Sequence, residues 1–180
     1  EFDPKLAKEP RANGDEGLTE EFDPEQWTLT VSSDGLEGVR LRLADIQSLP
    51  QFEQTTEFKC VEGWSTITKF AGARLADFIA KFAPGSEKAP YTGLATPDGA
   101  YYVGLDMPSA LHPQTLLAYE MNGQPLNQGH GAPLRLIVPG WFGIAWIKWL
   151  TRIEILDRRY MSKYMGREYV TIRGEERHGK

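Results

Sequence analysis

The sequence predicts an α+β fold in a single domain, mixed and mainly β with short helices. Two observations carry this. Strand-like and helix-like periodicities do not alternate regularly, which argues against a doubly wound sheet. The chain of 180 residues also carries no internal repeat, and its length suits one domain with a substantial core.

The elements follow in order. Residues 1–26 are polar, charged and interrupted by Pro4, Pro10, Gly14 and Gly17, and read as an irregular N-terminal arm, with the domain proper at 27–180. Trp27 to Val31 alternates as a first strand, and Val39–Leu41 is its hairpin partner across Ser33-Asp34-Gly35. Leu43 to Leu49 is a short helix stopped by Pro50. Thr55 to Cys60 is a strand that ends on the cysteine. Leu75, Phe78, Ile79 and Phe82 recur at i, i+3, i+4 and i+7, so 73–82 is an amphipathic helix ended by Pro84-Gly85. Tyr91–Thr96 and Tyr101–Val103 flank Pro97-Asp98-Gly99 as a hairpin. Pro113 opens a helix expected to run to about Glu120, with Asn122-Gly123 as its end or a turn. Leu134–Val138 is a buried strand broken by Pro139-Gly140. A last strand lies within 147–156, and a mixed tail with Tyr160, Tyr164 and Tyr169 follows.

Composition bounds the function classes. The chain is 41% hydrophobic and 25% charged, as in ordinary globular proteins, and its net charge of −5 argues against nucleic acid as a partner. No apolar run reaches the ~20 residues of a membrane span. The chain opens on Glu1 rather than Met and shows no signal-peptide pattern, so an upstream segment is expected to have been removed or left out. With one cysteine there is no internal disulfide, no haem-attachment pair and no iron–sulfur pattern. Redox chemistry would then need a bound cofactor and an external electron partner.

Two constellations carry chemistry. The first is Cys60 in Phe58-Lys59-Cys60-Val61-Glu62-Gly63-Trp64-Ser65. A thiolate at a strand end is a soft ligand for a transition metal, and Lys59 would lower its pKa if it faced the same way. The bland alternative is a buried structural cysteine. The second is His130-Gly131-Ala132-Pro133-Leu134-Arg135, followed by Gly143 and Lys148-Trp149. Arg, Lys and His converging on a glycine-permitted backbone can grip a phosphate; solvated charges on a strand–loop–strand are the alternative.

Taken together, FKCVEGWS, LLAYEMNGQPL, HGAPLRLIVPGWFG and IKWLTRIEI resemble the sulfite oxidase-like molybdopterin-binding domain over roughly 27–157. The resemblance implies that fold, with molybdenum and molybdopterin as cofactors. It also implies Cys60 as metal ligand, and His130, Arg135, Gly143 and Lys148 on the pterin side. The implied activity is two-electron oxygen-atom transfer on a small-molecule substrate, with an external electron donor or acceptor, a haem protein among the candidates. Sulfite oxidases carry an arginine-rich stretch after the cysteine. Here Val61-Glu62-Gly63 takes its place, which resembles instead the bacterial relatives that include a methionine sulfoxide reductase catalytic subunit. The family's N-terminal pterin-contacting segment is not recognisable in residues 1–26. Location is expected to be periplasmic or otherwise exported, as in the bacterial relatives, with the cytoplasm as the alternative.

Further candidates are Asp106, as a catalytic group at a cavity mouth or else a helix cap, beside His112. Trp141, Phe142 and Trp146 read as a substrate channel or as core. Tyr160 and Tyr164 are candidates to approach the metal, and His178 reads as solvated. Two other functional readings stay open: a cofactor-free binding module that retains the fold, and a catalytic subunit dependent on a separate haem protein.

Overall fold

The computed structural model describes residues 2–33 and 36–164. Ten strands form two five-stranded sheets. The first contains β1 (Leu29–Ser33), β2 (Leu36–Leu41), β5 (Tyr91–Ala95), β6 (Tyr102–Asp106) and β10 (Arg152–Leu156), in the order β2-β1-β10-β5-β6. The second contains β3 (Gln51–Lys59), β4 (Ser65–Arg74), β7 (Leu116–Met121), β8 (Gln124–Pro125) and β9 (Arg135–Ile137), with β7 flanked by β4, β8 and β9. Pairing is antiparallel except that β1 runs parallel to β10, with Thr30 opposite Arg152. Three short helices lie between strands: α1 (Leu43–Gln47), α2 (Leu75–Phe82) and α3 (Met107–Ala110).

The α+β architecture is as the sequence predicts, with one element of the wrong type. The segment after Pro113 is not a helix: Leu116–Met121 is β7, an interior strand with Leu116, Leu117, Ala118 and Tyr119 all buried. A strand covered on both faces loses the alternation that marks strands, and its continuous apolar run imitates a buried helix. β4 is the other correction, a ten-residue strand where no element was expected. It pairs along its length with β3, which begins at Gln51, before Thr55.

One hydrophobic cluster draws on both sheets and on α2. Helix α2 buries Leu75, Phe78 and Ile79 on a single face, as the i, i+3, i+4 spacing requires. Full burial of a side chain such as Phe78 contributes about 1.5–3 kcal/mol.

Residues 2–26 hold one short 3-10 turn (Pro4–Leu6) and otherwise irregular backbone. The segment is nevertheless pinned. The Lys8 N–H donates to Ile67 O at 2.8 Å, and Thr68 Oγ1 donates to Lys8 O at 2.9 Å. From there the arm crosses towards the face described next.

Candidate active site

A cavity of about 360 Å3 lies where the arm, the turn after β3 and the 130–149 segment meet. Its walls include Asn13 and Gly14 from the arm, Cys60 and Glu62 from the turn, and His130, Arg135 and Lys148 from the third segment. The structure therefore brings five sequence-predicted residues, Cys60, His130, Arg135, Gly143 and Lys148, to one space.

At one end sits Cys60, a half-buried free thiol just past the end of β3. A tight turn holds it: the Cys60 N–H donates to Trp64 O at 2.9 Å, and the Gly63 N–H donates to Cys60 O at 3.1 Å. Gly63 has φ +89°, which glycine adopts without a Cβ clash. Sγ lies 3.7 Å from Glu62 Oε2 and 3.7 Å from Asn13 Nδ2. The same Glu62 oxygen accepts from Trp64 Nε1 at 2.9 Å and from Asn13 Nδ2 at 3.0 Å. These donors hold the Glu62 carboxyl below its ordinary pKa, Trp64 foremost, so a carboxylate stands beside the sulfur. Lys59 faces the other way. It pairs with Glu57 at 3.2 Å, and so does not serve the thiol as the sequence reading allowed.

At the other end Arg135, on β9, is only 3% exposed. Two guanidinium nitrogens donate at 3.1 Å to His130 O and Trp146 O. The third, Nε, is buried without a hydrogen-bond partner. Burial pulls the Arg135 pKa down to about 10. Lys148 Nζ donates to Asn13 O (3.1 Å), Gly14 O (2.7 Å) and Gly129 O (3.1 Å). Its pKa falls to about 8 through burial and then the Arg135 charge, against the pull of Asp15. His130 is buried, and its Nε2 lies 2.9 Å from Glu9 Oε1. Burial and Arg135 lower its pKa despite that carboxylate, which keeps the ring neutral near pH 7.

Other candidates fall differently. Gly143 lies on the cavity wall, but a Cβ there would collide with the Phe58 ring, so its bareness serves an aromatic contact beside the Cys60 strand. Asp106 is not on this wall. It caps α3 by accepting from the Ser109 N–H at 2.9 Å. His112 Nδ1 accepts from the Gln114 N–H at 3.2 Å. Trp146 is core, Phe142 is exposed, and Tyr164 reaches the wall and donates to Glu16 Oε2 at 2.7 Å. Tyr169 and His178 lie outside the described residues.

The sequence reading missed the arm. Residues 10–14 line the cavity, although nothing in 1–26 marked them. They contribute an amide and two carbonyls from irregular backbone, and only the Asn13-Gly14 turn signal hinted at order. Tyr101 was missed as well. Its hydroxyl donates to Ile144 O at 2.6 Å, and burial keeps the phenol protonated.

A buried guanidinium nitrogen without an acceptor, a second cation on the same wall and a thiol opposite suit a phosphate-bearing cofactor with a thiophilic metal. Among the described residues no group of three His, Cys, Asp or Glu side chains could hold a metal by itself, so a metal beside Cys60 would need ligands from the cofactor. The comparisons agree with that donor set. Residues 16–164 match the oxidoreductase molybdopterin binding domain, and the chain belongs to that family. It is thus a domain of the molybdopterin-binding class, with the sulfite oxidase-type fold. Among its relatives, mitochondrial sulfite oxidase of Homo sapiens is 33% identical over 82% of this chain and 32% of that protein. The protein-methionine-sulfoxide reductase catalytic subunit MsrP of Campylobacter jejuni is 33% identical over 82% of this chain and 54% of its own length. The sulfane dehydrogenase SoxCD from Paracoccus pantotrophus shares the fold, with a TM-score of 0.72 at 21% identity over 80% of this chain and 41% of that one. The chain thus spans about a third to a half of the relatives it matches. None of the described helices is long and apolar enough to cross a membrane.

Proposed function

We propose that this domain performs two-electron oxygen-atom transfer on a small uncharged substrate at a molybdenum–molybdopterin centre. The observation that carries the reading is Arg135: a buried cation with a free donor, lining the same cavity as Lys148 and Cys60. When bound, the cofactor supplies the exchange of two electrons and of the oxygen atom. The chain's own residues do the rest. Cys60 Sγ would hold the metal, and Arg135 and Lys148 would hold the phosphate end. Neutral His130 steadies that end through its backbone carbonyl, which accepts from Arg135.

Glu62 argues about the substrate. An ionised carboxylate 3.7 Å from the thiol repels anions such as sulfite and tolerates neutral S-oxides. Relatives with both activities in their names, sulfite oxidase and methionine-sulfoxide reductase, match at 33% identity, so overall similarity does not choose between them. Electrons would come from an external donor, a separate haem protein being the expected class, and location outside the cytoplasm belongs to the same proposal. Cell fractionation and co-purification of haem test those two points.

The first experiment is molybdenum and pterin content of protein from a host that makes the cofactor, with turnover of an S-oxide and of sulfite. Near one of each per chain and preference for the S-oxide are expected. A folded, cofactor-free protein from that host would overturn the reading. It would favour the second one, a binding module, which one observation supports: all three Lys148 donors already meet carbonyls of this chain.

A further inference from the structure

A second cavity, of about 870 Å3, opens beside the first, and Tyr101, Ile144 and Tyr164 stand on the walls of both. Its far side is aromatic: Trp141 and Phe142 come from the loop after β9, and Tyr160 from the tail after β10. Phe142 is 55% exposed, so its ring is accessible from this cavity.

The tail wall is built into the sheet. Gly93 and Gly104 face each other across β5 and β6, and a Cβ on either would strike Tyr160. The Gly104 N–H donates to Ser162 Oγ at 2.9 Å, and the Lys163 N–H donates to Tyr102 O at 3.0 Å. Two bare positions on adjacent strands thus seat Tyr160 at the edge of the cavity, Gly93 under its ring and Gly104 under its backbone carbonyl. Among the described residues the charges on its walls are one carboxylate, Asp106, and one guanidinium, Arg159, and Asp106 is engaged in capping α3. The cavity therefore offers flat apolar faces and phenol hydroxyls, with no net ionic preference. Its volume is that of a small-molecule site.

We propose that this cavity is the specificity pocket of the oxygen-transfer site. It takes the aromatic substituent of an uncharged S-oxide whose S–O group is presented past Tyr101 and Tyr164 towards Cys60. The inference rests on the function proposed above. Trp141, Phe142 and Tyr160 are its specificity-determining residues, offering faces and edges to an aryl ring. The reaction is balanced: the S–O bond breaks, two electrons and two protons are consumed, and a sulfide and one water leave. In the assay two equivalents of a reduced one-electron dye supply the electrons.

The test compares kcat/KM for methyl phenyl sulfoxide and dimethyl sulfoxide in the holoenzyme, the Phe142→Ala variant and the Trp141→Ala variant. The holoenzyme should prefer the aryl substrate. Each variant should lose about tenfold of that preference, mainly through a raised KM for the aryl substrate. Phe142 is exposed, so its replacement leaves the core intact. Binding of methyl phenyl sulfide, followed by tryptophan fluorescence in the Phe142→Ala protein, should weaken by a similar factor. Turnover with an unchanged ratio in both variants would overturn the pocket assignment alone. No turnover of either sulfoxide by a molybdenum-loaded enzyme would overturn the oxygen-transfer reading on which it rests.

Discussion

Replacing Arg135 with Met separates a ligand-binding residue from a structural one, because the two roles predict opposite effects on the pterin-free protein. Burial pulls the Arg135 pKa down to about 10 from its ordinary guanidinium value, which corresponds to roughly 3 kcal/mol of unfavourable desolvation. Met removes that penalty at similar volume. Its loss is two charge-assisted bonds, to His130 O and Trp146 O, each contributing about 1.5–3 kcal/mol. The terms largely offset each other, so the pterin-free variant should lose no more than about 3 kcal/mol against wild type in urea denaturation. The cofactor-loaded protein behaves otherwise. Losing a buried cation opposite a phosphate removes about 2–5 kcal/mol of binding, or roughly 30-fold or more in retention. Pterin content after dialysis reads this directly. If the pterin-free variant instead loses more than about 4 kcal/mol while loaded protein retains its pterin, Arg135 is a structural pin and the ligand argument fails.

Four further outcomes are expected. Cys60→Ser should keep the fold and much of the pterin and abolish turnover; full activity there would remove Cys60 as the metal ligand. Lys148 is cationic below about pH 8, so pterin retention should fall as pH rises through that value, and Lys148→Met should be weaker throughout and flat across it. His130 is held below its ordinary 6.5, so the unfolded chain binds more protons in the window beneath that value. Stability should therefore fall as the pH drops from 7 through 6, and His130→Gln should lose that slope in denaturation series. Phe78→Ala should cost about 3–5 kcal/mol by the same denaturation measurement, because Phe78 is fully buried in the cluster beneath α2.

What the sequence made legible follows the strength of local signals. The Pro97-Asp98-Gly99 turn and the α2 stripe each carry a short-range pattern with one physical solution, and both stand in the structure. β7 was misread because burial on both faces erased its alternation. β4 was missed because its residues pass from mixed exposure at Ser65 to full burial at Phe70, so no single period spans it. At the site, Cys60, Arg135 and Lys148 were legible as chemistry-bearing residue types in a motif order that resembles a known family. Asn13 and Glu9 were not. Their roles come from irregular backbone that meets the cavity only through tertiary contacts, such as Asn127 Nδ2 donating to Glu9 Oε1 at 3.2 Å. Glu62 was legible as a charge. Its place beside the sulfur depends on Trp64 and Asn13, which only the fold brings together.

The parallel pairing of β1 with β10 sets when this site can exist during synthesis. Thr30 meets Arg152, and Lys148 reaches back to Gly14. At ordinary elongation rates the nascent chain waits on the order of ten seconds after the β1 codons before its partner strand emerges. During that interval Cys60 is already outside the ribosome without its cavity. A chain stalled after β9 would display the thiol and Arg135 but lack Lys148 and the bonds it donates to Asn13 and Gly14 of the arm. Cofactor capture at this site would therefore follow the arrival of Lys148, and the Cys60 thiol would stay uncovered until then. A host that slows translation late in this message would be expected to yield protein depleted in pterin though correct in sequence.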